Sequence, residues 1–260
     1  QGFSVANMNR SVNDGRNKLY KKFVEIVSLK KPKIFLAENV KGILSIGGGE
    51  VFKTIINDFE DAGYNIKYSL FNTADYGVPQ TRQRVLILGV RKDLDGRIVF
   101  PPPPTYKGRH MSVGEALKDI PDPDKEHNLK NHVYSKFKMK FNGYIGHRMI
   151  DPNKPSPTIT ARGDPKGGAV ILHHPSNKRR MTCREAAVIQ GFPLGFEFVG
   201  PMTSVYLQIG NAVPSQLAEA VAKEIYSYLI EGKRSSSIKQ DEIKMTPIIV
   251  FQEVLPLFQT

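Results

Sequence analysis

The amino-acid sequence predicts an α/β fold, and three observations support this prediction. Apolar residues recur at helical spacing in two segments, short continuous apolar runs typical of buried strands occur in three others, and the two kinds alternate. The helical segments are residues 17–29 and 50–62, and the strand segments are 34–37, 64–71 and 85–90. Gly63 follows the second helix, as a C-terminal cap would. This alternation favours a layered domain built on a central sheet.

The sequence changes character after residue 90, which predicts a second, smaller domain. Four consecutive prolines, Pro101–Pro104, interrupt regular structure, and the region that follows is rich in proline, glycine and basic residues. Helical spacing returns at 184–190 and 215–229. We therefore predict one domain from residues 1–90 and 205–232, a second from 91–204, and a tail at 233–260 to which no role is assigned.

The charge balance predicts a polyanionic partner. Lys and Arg number 37 against 25 Asp and Glu, a formal net charge of +12. Such an excess is typical of nucleic-acid-binding proteins, although a merely basic soluble protein has the same composition. No apolar run is long enough to span a bilayer, and the start does not resemble a secretory signal. One cysteine, Cys183, allows no internal disulfide, so we expect a cytoplasmic protein without a membrane partner.

A carboxylate follows the first predicted strand directly. Glu38 begins the segment Glu38-Asn39-Val40, just after the apolar run 34–37. Ligands of open α/β sheets bind at the carboxyl ends of the strands, so Glu38 is a candidate general acid or hydrogen-bond partner of a heterocycle. A glutamate that caps a loop is the alternative interpretation of these three residues.

Three polar side chains precede the third predicted strand. Gln80, Arg82 and Arg84 alternate along the chain, so a strand places them on one face. An amide and two guanidiniums suit a carbonyl oxygen, a phosphate or a carboxylate, and a solvated strand entry explains them equally well. Similarly, Gln208–Pro214 (QIGNAVP) precedes a predicted helix, either as a glycine-containing ligand loop or as an ordinary turn.

Taken in order, these motifs resemble the motif set of DNA cytosine-5 methyltransferases. The order is ENV, QxRxR before a strand, QGFP at Gln190–Pro193, and QxGNAVP before the last helix. The resemblance covers residues 1–229. It implies the C-terminal half of a Rossmann-like methyltransferase sheet (residues 1–90 and 205–232, the catalytic domain) plus a small DNA target-recognition domain within 91–204.

The resemblance also implies roles for individual residues. A cysteine of the family adds to C6 of a flipped cytosine, and S-adenosylmethionine then methylates C5. Glu38 would bind the N3 edge of the base and Arg84 its O2, with Arg82 and Gln80 in support. Gln1 and Ser4 match family positions that follow the nucleophile. The family positions beside the cofactor are matched by Leu19, Asn211, Ala212 and Val213.

The chain departs from the family pattern at its start. It opens at the glutamine that follows the family's Pro-Cys pair, and the Gly-rich cofactor loop is also missing; Gly47–Gly49 comes after ENV and does not replace it. Cys183 is expected to pack, not to react. We predict no metal site, because His173, His174 and Cys183 lack ligand spacing. We therefore expect the chain alone to be inactive, and a complementary N-terminal polypeptide is a possible partner.

The predicted recognition region contains a basic alternation. Lys136, Lys138 and Lys140 alternate with Phe137, Met139 and Phe141, so a strand would present three lysines to the phosphates of double-stranded DNA. Lysines there supply affinity, not base choice. We expect a methyltransferase of a prokaryotic restriction–modification system, acting at the nucleoid. The alternatives are a catalytically inactive DNA-binding relative and a generic α/β protein that binds a small anion.

Overall fold

The computed structural model of the chain describes residues 19–94, 96–106, 108–136, 149–160, 173–176 and 178–231. Its main sheet is antiparallel and has three strands. The strands are β1 (Ile34–Val40), β2 (Tyr64–Asn72), β3 (Gln80–Thr81), β4 (Gln83–Arg91) and β5 (Ser156–Pro157). The helices are α1 (Leu19–Lys30), α2 (Glu50–Asp61), α3 (Val113–Leu117), α4 (Cys183–Ile189), α5 (Met202–Asn211) and α6 (Ser215–Glu231). In the main sheet the order is β1-β4-β2, with β4 antiparallel to both neighbours.

The first face of this sheet is covered by α1 and α2. Phe35 of β1, Phe59 of α2 and Tyr64 of β2 form an aromatic cluster there, with ring centroids 4.6 to 5.0 Å apart. Phe35 pairs with Gly89 of β4, and its ring occupies the space that a side chain at position 89 would need. A glycine in the middle of the central strand thus lets an aromatic ring lie against the backbone.

The opposite face of the sheet is covered by α6. Leu86 and Leu88 of β4 are buried against the helix, in clusters that include Leu217 and Tyr228. Residues on both faces of β4 are buried, which explains why its sequence is a continuous apolar run and not an alternation. The helix begins at Ser215 and ends at Glu231, close to the predicted bounds.

A second core lies outside the main sheet and joins α3, α4 and α5. Met181, Ile189 and Ile209 are among its fully buried members. Both α3 and α4 begin with a capping box, in which Ser112 and Thr182 accept a hydrogen bond from the backbone of Glu115 and Glu185, respectively. A short parallel pairing of β3 with β5, Gln80 opposite Ser156, connects this core to the main sheet.

The predicted helices and strands are present where the structure describes them, with two informative differences. First, β1 continues through Val40, so Glu38 lies inside a strand and not in the loop after it. Second, α5 was not predicted, and it contains most of the QIGNAVP segment. Gly63 has the left-handed φ of 95° expected of a cap after α2. Within the described ranges, no helix is long and apolar enough to cross a membrane.

Candidate active site

Glu38 and Arg84 form an ion pair at one edge of the sheet. In the antiparallel register Glu38 is opposite Leu86 and Val40 is opposite Arg84, so the two side chains are diagonal neighbours on the same face. The Arg84 Nε and Glu38 Oε1 atoms are 2.7 Å apart. Because β1 and β2 run parallel to each other, the pair lies at the carboxyl ends of both strands. This is the edge at which open α/β sheets bind ligands.

The pair retains hydrogen-bonding capacity that a ligand could use. The Glu38 side chain is 33% exposed and the Arg84 side chain 12%. Arg84 Nη1 donates to the carbonyl of Gln83, and neither side chain has a further partner among the described residues. Burial lowers the pKa of Arg84, although the adjacent Glu38 carboxylate opposes that effect. The arrangement places a carboxyl group beside guanidinium N–H donors, so that a ring nitrogen could share a proton with the carboxyl group while an adjacent carbonyl oxygen accepts from the guanidinium.

Arg82 lies beside Arg84 but is turned into the protein. Its guanidinium is buried and donates to three backbone carbonyls, those of Ile159 at 2.8 Å, Gly210 at 2.8 Å and Ala212 at 3.3 Å. Burial lowers the pKa of Arg82 to about 9, and the charge of Arg84 adds to the effect. Arg82 therefore holds backbone segments together and offers no exposed donor to a substrate.

Gln80 is also buried, behind the Glu38–Arg84 pair. Its amide oxygen accepts from the backbone N–H of Ile159 at 2.9 Å, and its amide nitrogen donates to the side chain of Gln190 at 2.6 Å and to the carbonyl of Ile189 at 3.3 Å. Every donor and acceptor of this amide is thus used within the chain, apart from one lone pair. Gln190 was not singled out as a site residue in the sequence, where only its place in QGFP marked it.

The predicted cofactor residues lie on two elements. Asn211 ends α5 with an exposed side chain, Ala212 follows it, and Val213 is exposed just before α6. An exposed amide next to an apolar side chain fits a heterocycle that has both polar edges and an apolar face. Leu19 is the first residue of α1 and is exposed.

Of the three lysines predicted to contact DNA, the structure describes only Lys136. Its ammonium group is exposed, lies 2.7 Å from a carboxylate oxygen of Asp124, and contacts the hydroxyl and ring of Tyr134. The positive charge of Lys136 is therefore partly offset by Asp124, which lies 12 residues earlier in the chain and outside the lysine alternation. Gln1, Ser4, Lys138 and Lys140, with the predicted strand around them, lie outside the described residues.

Cys183 is a packing residue in the second core. Its side chain is fully buried at the first turn of α4, with Sγ 3.8 Å from the carbonyl of Met202. Burial raises the pKa of the Cys183 thiol to about 12, so almost none of it is thiolate at neutral pH. Among the residues that the structure describes, no three His, Cys, Asp or Glu side chains are grouped so as to hold a metal ion.

Comparison with known proteins gives the chain a family. The family model of C-5 cytosine-specific DNA methylases matches residues 1–227. The chain belongs to this family. It is 37% identical over 259 residues to the type II methyltransferase M.NgoFVII of Neisseria gonorrhoeae, a match that covers 86% of this chain and 67% of that one. It is 34% identical over 270 residues to the type II methyltransferase M.BsuRI of Bacillus subtilis, covering 94% and 62%.

Solved structures of similar fold agree with the family. A chain described as a DNA modification methyltransferase encoded within a prophage of E. coli matches with a TM-score of 0.66 and 26% identity, over 83% of this chain and 75% of that one. The Dnmt2 methyltransferase of S. pombe, at 17% identity and a TM-score of 0.54, shares the fold. An α/β methyltransferase fold is therefore established, whereas the chain spans only about two thirds of the length of its curated relatives M.NgoFVII and M.BsuRI.

Proposed function

We propose that the chain supplies the base-binding part of an S-adenosylmethionine-dependent DNA cytosine-5 methyltransferase of a restriction–modification system. The observation on which this depends is the Glu38–Arg84 pair, partly exposed at the carboxyl edge of the sheet. Family membership supplies the reaction class, and the pair supplies groups suited to it. The curated relatives described above are type II methyltransferases, which supports the restriction–modification setting.

The chemical difficulty is that a neutral cytosine resists nucleophilic addition at C6. The base must first leave the helix stack to reach a protein site. A proton shared between the Glu38 carboxyl group and N3, together with donation from Arg84 to O2, would stabilise the negative charge that builds on the ring. Preorganised donors of this kind typically lower such a barrier by about 3–4 kcal/mol each. In this proposal Arg82 and Gln80 support the pair and do not touch the base.

The nucleophile comes from residues outside the 260-residue sequence in this proposal. A thiolate forms a bond to C6, C5 then takes the methyl group, and loss of the C5 proton and of the thiolate restores the ring. Cys183 is the one cysteine of the sequence. It cannot supply the thiolate, because its side chain is buried and burial raises the pKa of its thiol. Gln1 and Ser4 would follow the reactive cysteine, either in a longer chain or across the junction with a companion polypeptide.

The cofactor would lie against Asn211, Ala212 and Val213, with Leu19 nearby. S-adenosylmethionine supplies an electrophilic methyl group when bound. The exposed Asn211 amide can hydrogen-bond a polar edge of it, and the exposed Val213 side chain can cover an apolar face. Arg82 contributes by holding the carbonyl of Ala212, so the residue that supports the base site also supports this segment.

A further polypeptide segment would complete the sheet. Within the described residues β1 is an edge strand, and apolar side chains on α1 and β1 are exposed, namely Leu19, Ile26, Leu29 and Leu36. An uncovered strand edge beside exposed apolar side chains favours pairing with additional strands. We propose that the segment carrying the Pro-Cys pair and the Gly-rich loop adds on this side, as part of a longer chain or as a separate subunit.

Double-stranded DNA in the cytoplasm of a prokaryote is the proposed substrate. Lys136, Lys138 and Lys140 would contact phosphates and supply salt-dependent affinity. Replacing all three with alanine is expected to weaken DNA binding and to reduce the slope of log K against log salt by up to about three. A filter-binding titration at several salt concentrations measures both quantities. Unchanged affinity and slope would remove these lysines from the DNA-binding surface.

Transfer of a tritiated methyl group to DNA tests the proposed reaction. The chain alone, a polypeptide that carries the family's N-terminal part through Pro-Cys, and a mixture of the two are each incubated with labelled S-adenosylmethionine and cytosine-containing DNA. We expect incorporation only in the mixture, and none when the cysteine of the added polypeptide is replaced by alanine. Incorporation by the chain alone would contradict the proposed source of the nucleophile.

A catalytically inactive DNA-binding relative is the competing function, and the same experiment separates the two. Such a protein would bind DNA with both polypeptides folded but would show no transfer in the mixture. The Glu38–Arg84 pair argues for the enzyme, because a protein that only grips DNA has no chemical need for a carboxylate beside the guanidinium at this edge. Circular dichroism of each polypeptide establishes that a negative result does not come from misfolding.

A further inference from the structure

We infer that Gln190 is a positioning residue that fixes the backbone of the cofactor loop, defined here as Asn211–Pro214. This inference rests on the proposed function, because it names a residue that acts on the proposed cofactor site through another residue. The Gln190 side chain is buried, and its amide nitrogen donates to the carbonyl of Ala212 at 2.8 Å. Its amide oxygen accepts from Gln80 at 2.6 Å. Gln190 therefore connects the QxRxR motif to the cofactor loop.

The backbone next to Gln190 holds the other end of the same loop. The carbonyl of Gly191 accepts from the Ser215 hydroxyl at 3.2 Å and from the Gln216 amide at 3.3 Å. Gly191 has a left-handed φ of 92°, and a side chain on it would overlap the Gln216 side chain. The dipeptide Gln190-Gly191 thus contacts Ala212 within the loop and the first two residues of α6, which follow the loop directly.

The chemistry of an amide is needed at position 190. The side chain must accept from Gln80 and donate to Ala212 at the same time, and an amide of this length does both without taking up a proton, whereas a glutamate could donate only if it were protonated. A glutamate could keep the first hydrogen bond, but it would place a carboxylate against the carbonyl oxygen of Ala212. That oxygen also accepts from Arg82, so Gln190 and Arg82 fix it from two directions.

The consequence for function is local. Asn211 and Val213 flank Ala212 and present their side chains outward, so the orientation of both depends on the peptide groups that Gln190 and Arg82 hold. The Glu38–Arg84 pair has no hydrogen bond to Gln190 within the described chain. Loss of the Gln190 contact is therefore expected to weaken the cofactor site and to leave the base site in place.

Hydrogen–deuterium exchange on this chain by itself tests the inference without any assumption about activity. In Gln190→Glu, we expect exchange at the amide of Ala212, which donates to the carbonyl of Ile209, to be about tenfold faster than in the unmodified chain, which corresponds to one lost buried hydrogen bond. Exchange in β1 and β4 is expected to be unchanged. Asn57→Asp, an amide-to-carboxylate change on the exposed surface of α2, is the matched control.

Steady-state kinetics of the assembled enzyme give the second readout. Gln190→Glu is expected to raise the KM for S-adenosylmethionine about tenfold while kcat and the KM for DNA stay within about twofold. Ser215→Ala removes one contact at the other end of the loop and is a milder variant, with an expected increase of about threefold. If Gln190→Glu does not fold, the KM of Ser215→Ala for S-adenosylmethionine still tests the inference.

The possible outcomes are distinguishable. Normal exchange at the Ala212 amide in Gln190→Glu, or equal losses of protection throughout α4 and α5, would overturn the positioning role. An unchanged cofactor KM in both variants would do the same. If instead the exchange result is as expected but the unmodified assembly transfers no methyl group, the proposed function fails and the structural assignment of Gln190 stands.

Discussion

Two carboxylate–arginine pairs in this chain have similar geometry and opposite surroundings. Glu38 and Arg84 meet at the edge of the main sheet, with the carboxylate 33% exposed. Glu185 and Arg179 meet in the second core, where the carboxylate is 2% exposed. The closest N–O distances are 2.7 and 2.6 Å. Distance alone therefore does not distinguish them.

The difference lies in how many hydrogen bonds each carboxylate already makes. Both oxygens of Glu185 bind Arg179, and one also accepts from the backbone N–H of Thr182 to complete a capping box. Glu38 binds Arg84 through one oxygen and has no other partner in the described part of the chain. A saturated buried pair orders a helix start, whereas an unsaturated, partly exposed pair can bind a ligand. Free hydrogen-bonding capacity, more than the presence of an ion pair, thus marks the candidate site.

Replacing Glu38 with glutamine is expected to have the largest effect on activity. The amide cannot share a proton with N3 as the carboxyl group does, so kcat for methyl transfer should fall by about 100- to 1,000-fold. The thermal unfolding midpoint should fall less than in Glu185→Gln, because the Glu38 carboxylate is 33% exposed and binds its arginine through one oxygen, whereas the Glu185 carboxylate is 2% exposed and binds through both. Tritium incorporation and a melting curve, measured on the same preparation, check both statements. If the stability fell in proportion to the activity, Glu38 would have a structural role like that of Glu185 and not a catalytic one.

Replacing Glu185 with glutamine should produce the reverse pattern. Arg179 would lose its counter-charge in a largely buried position, which is expected to cost about 3 kcal/mol of unfolding free energy in a urea titration. Glu115 offers a matched control, since it also completes a capping box and pairs with an arginine, Arg109, but is exposed. Glu115→Gln should destabilise the chain less than Glu185→Gln. Equal losses in the two variants would show that burial does not decide the outcome.

The pH dependence of stability should also depend on Glu185. Burial favours a higher pKa for Glu185, but hydrogen bonds from Arg179 and from the Thr182 backbone outweigh it and lower the pKa below its ordinary value of 4.5. Because the folded-state pKa is depressed, the stabilisation is fully present above about pH 4.5 and is lost as the pH falls through the folded-state pKa. Urea titrations between about pH 5 and pH 3 should give a steeper decline in the unmodified chain than in Glu185→Gln.

The smallest effect is expected at the exposed pair of Lys136 and Asp124. Asp124→Asn should free the lysine for phosphate, so DNA affinity should rise a few-fold and the salt dependence should steepen by up to about one unit of slope. Asp119→Asn makes the same change in net charge at another exposed aspartate and serves as the control. If both variants change binding equally, overall charge is responsible and Lys136 is not a phosphate contact.

Much of the fold could be predicted because its signals are local. The continuous apolar run of β4 indicates burial on both faces of that strand. The spacing of apolar residues in α2 and α6 predicts which side of each helix packs against the sheet. The order of the motifs identified the family, which the family match confirmed. By contrast, α5 was missed, because Gly210 and Asn211 are typical of turns, and buried contacts of its Val205 and Ile209 outweigh that preference.

The sequence by itself determined the α/β class, the approximate strands and helices, the family and the candidate residues Glu38, Arg82 and Arg84. Only the tertiary structure decided what each of them does. Arg82 and Arg84 are two positions apart, yet one binds carbonyls up to 130 residues away and the other pairs with Glu38. Such partners depend on strand register and on the packing of α5 against the sheet domain. Those are long-range properties, and residue spacing along the chain does not encode them in any local pattern.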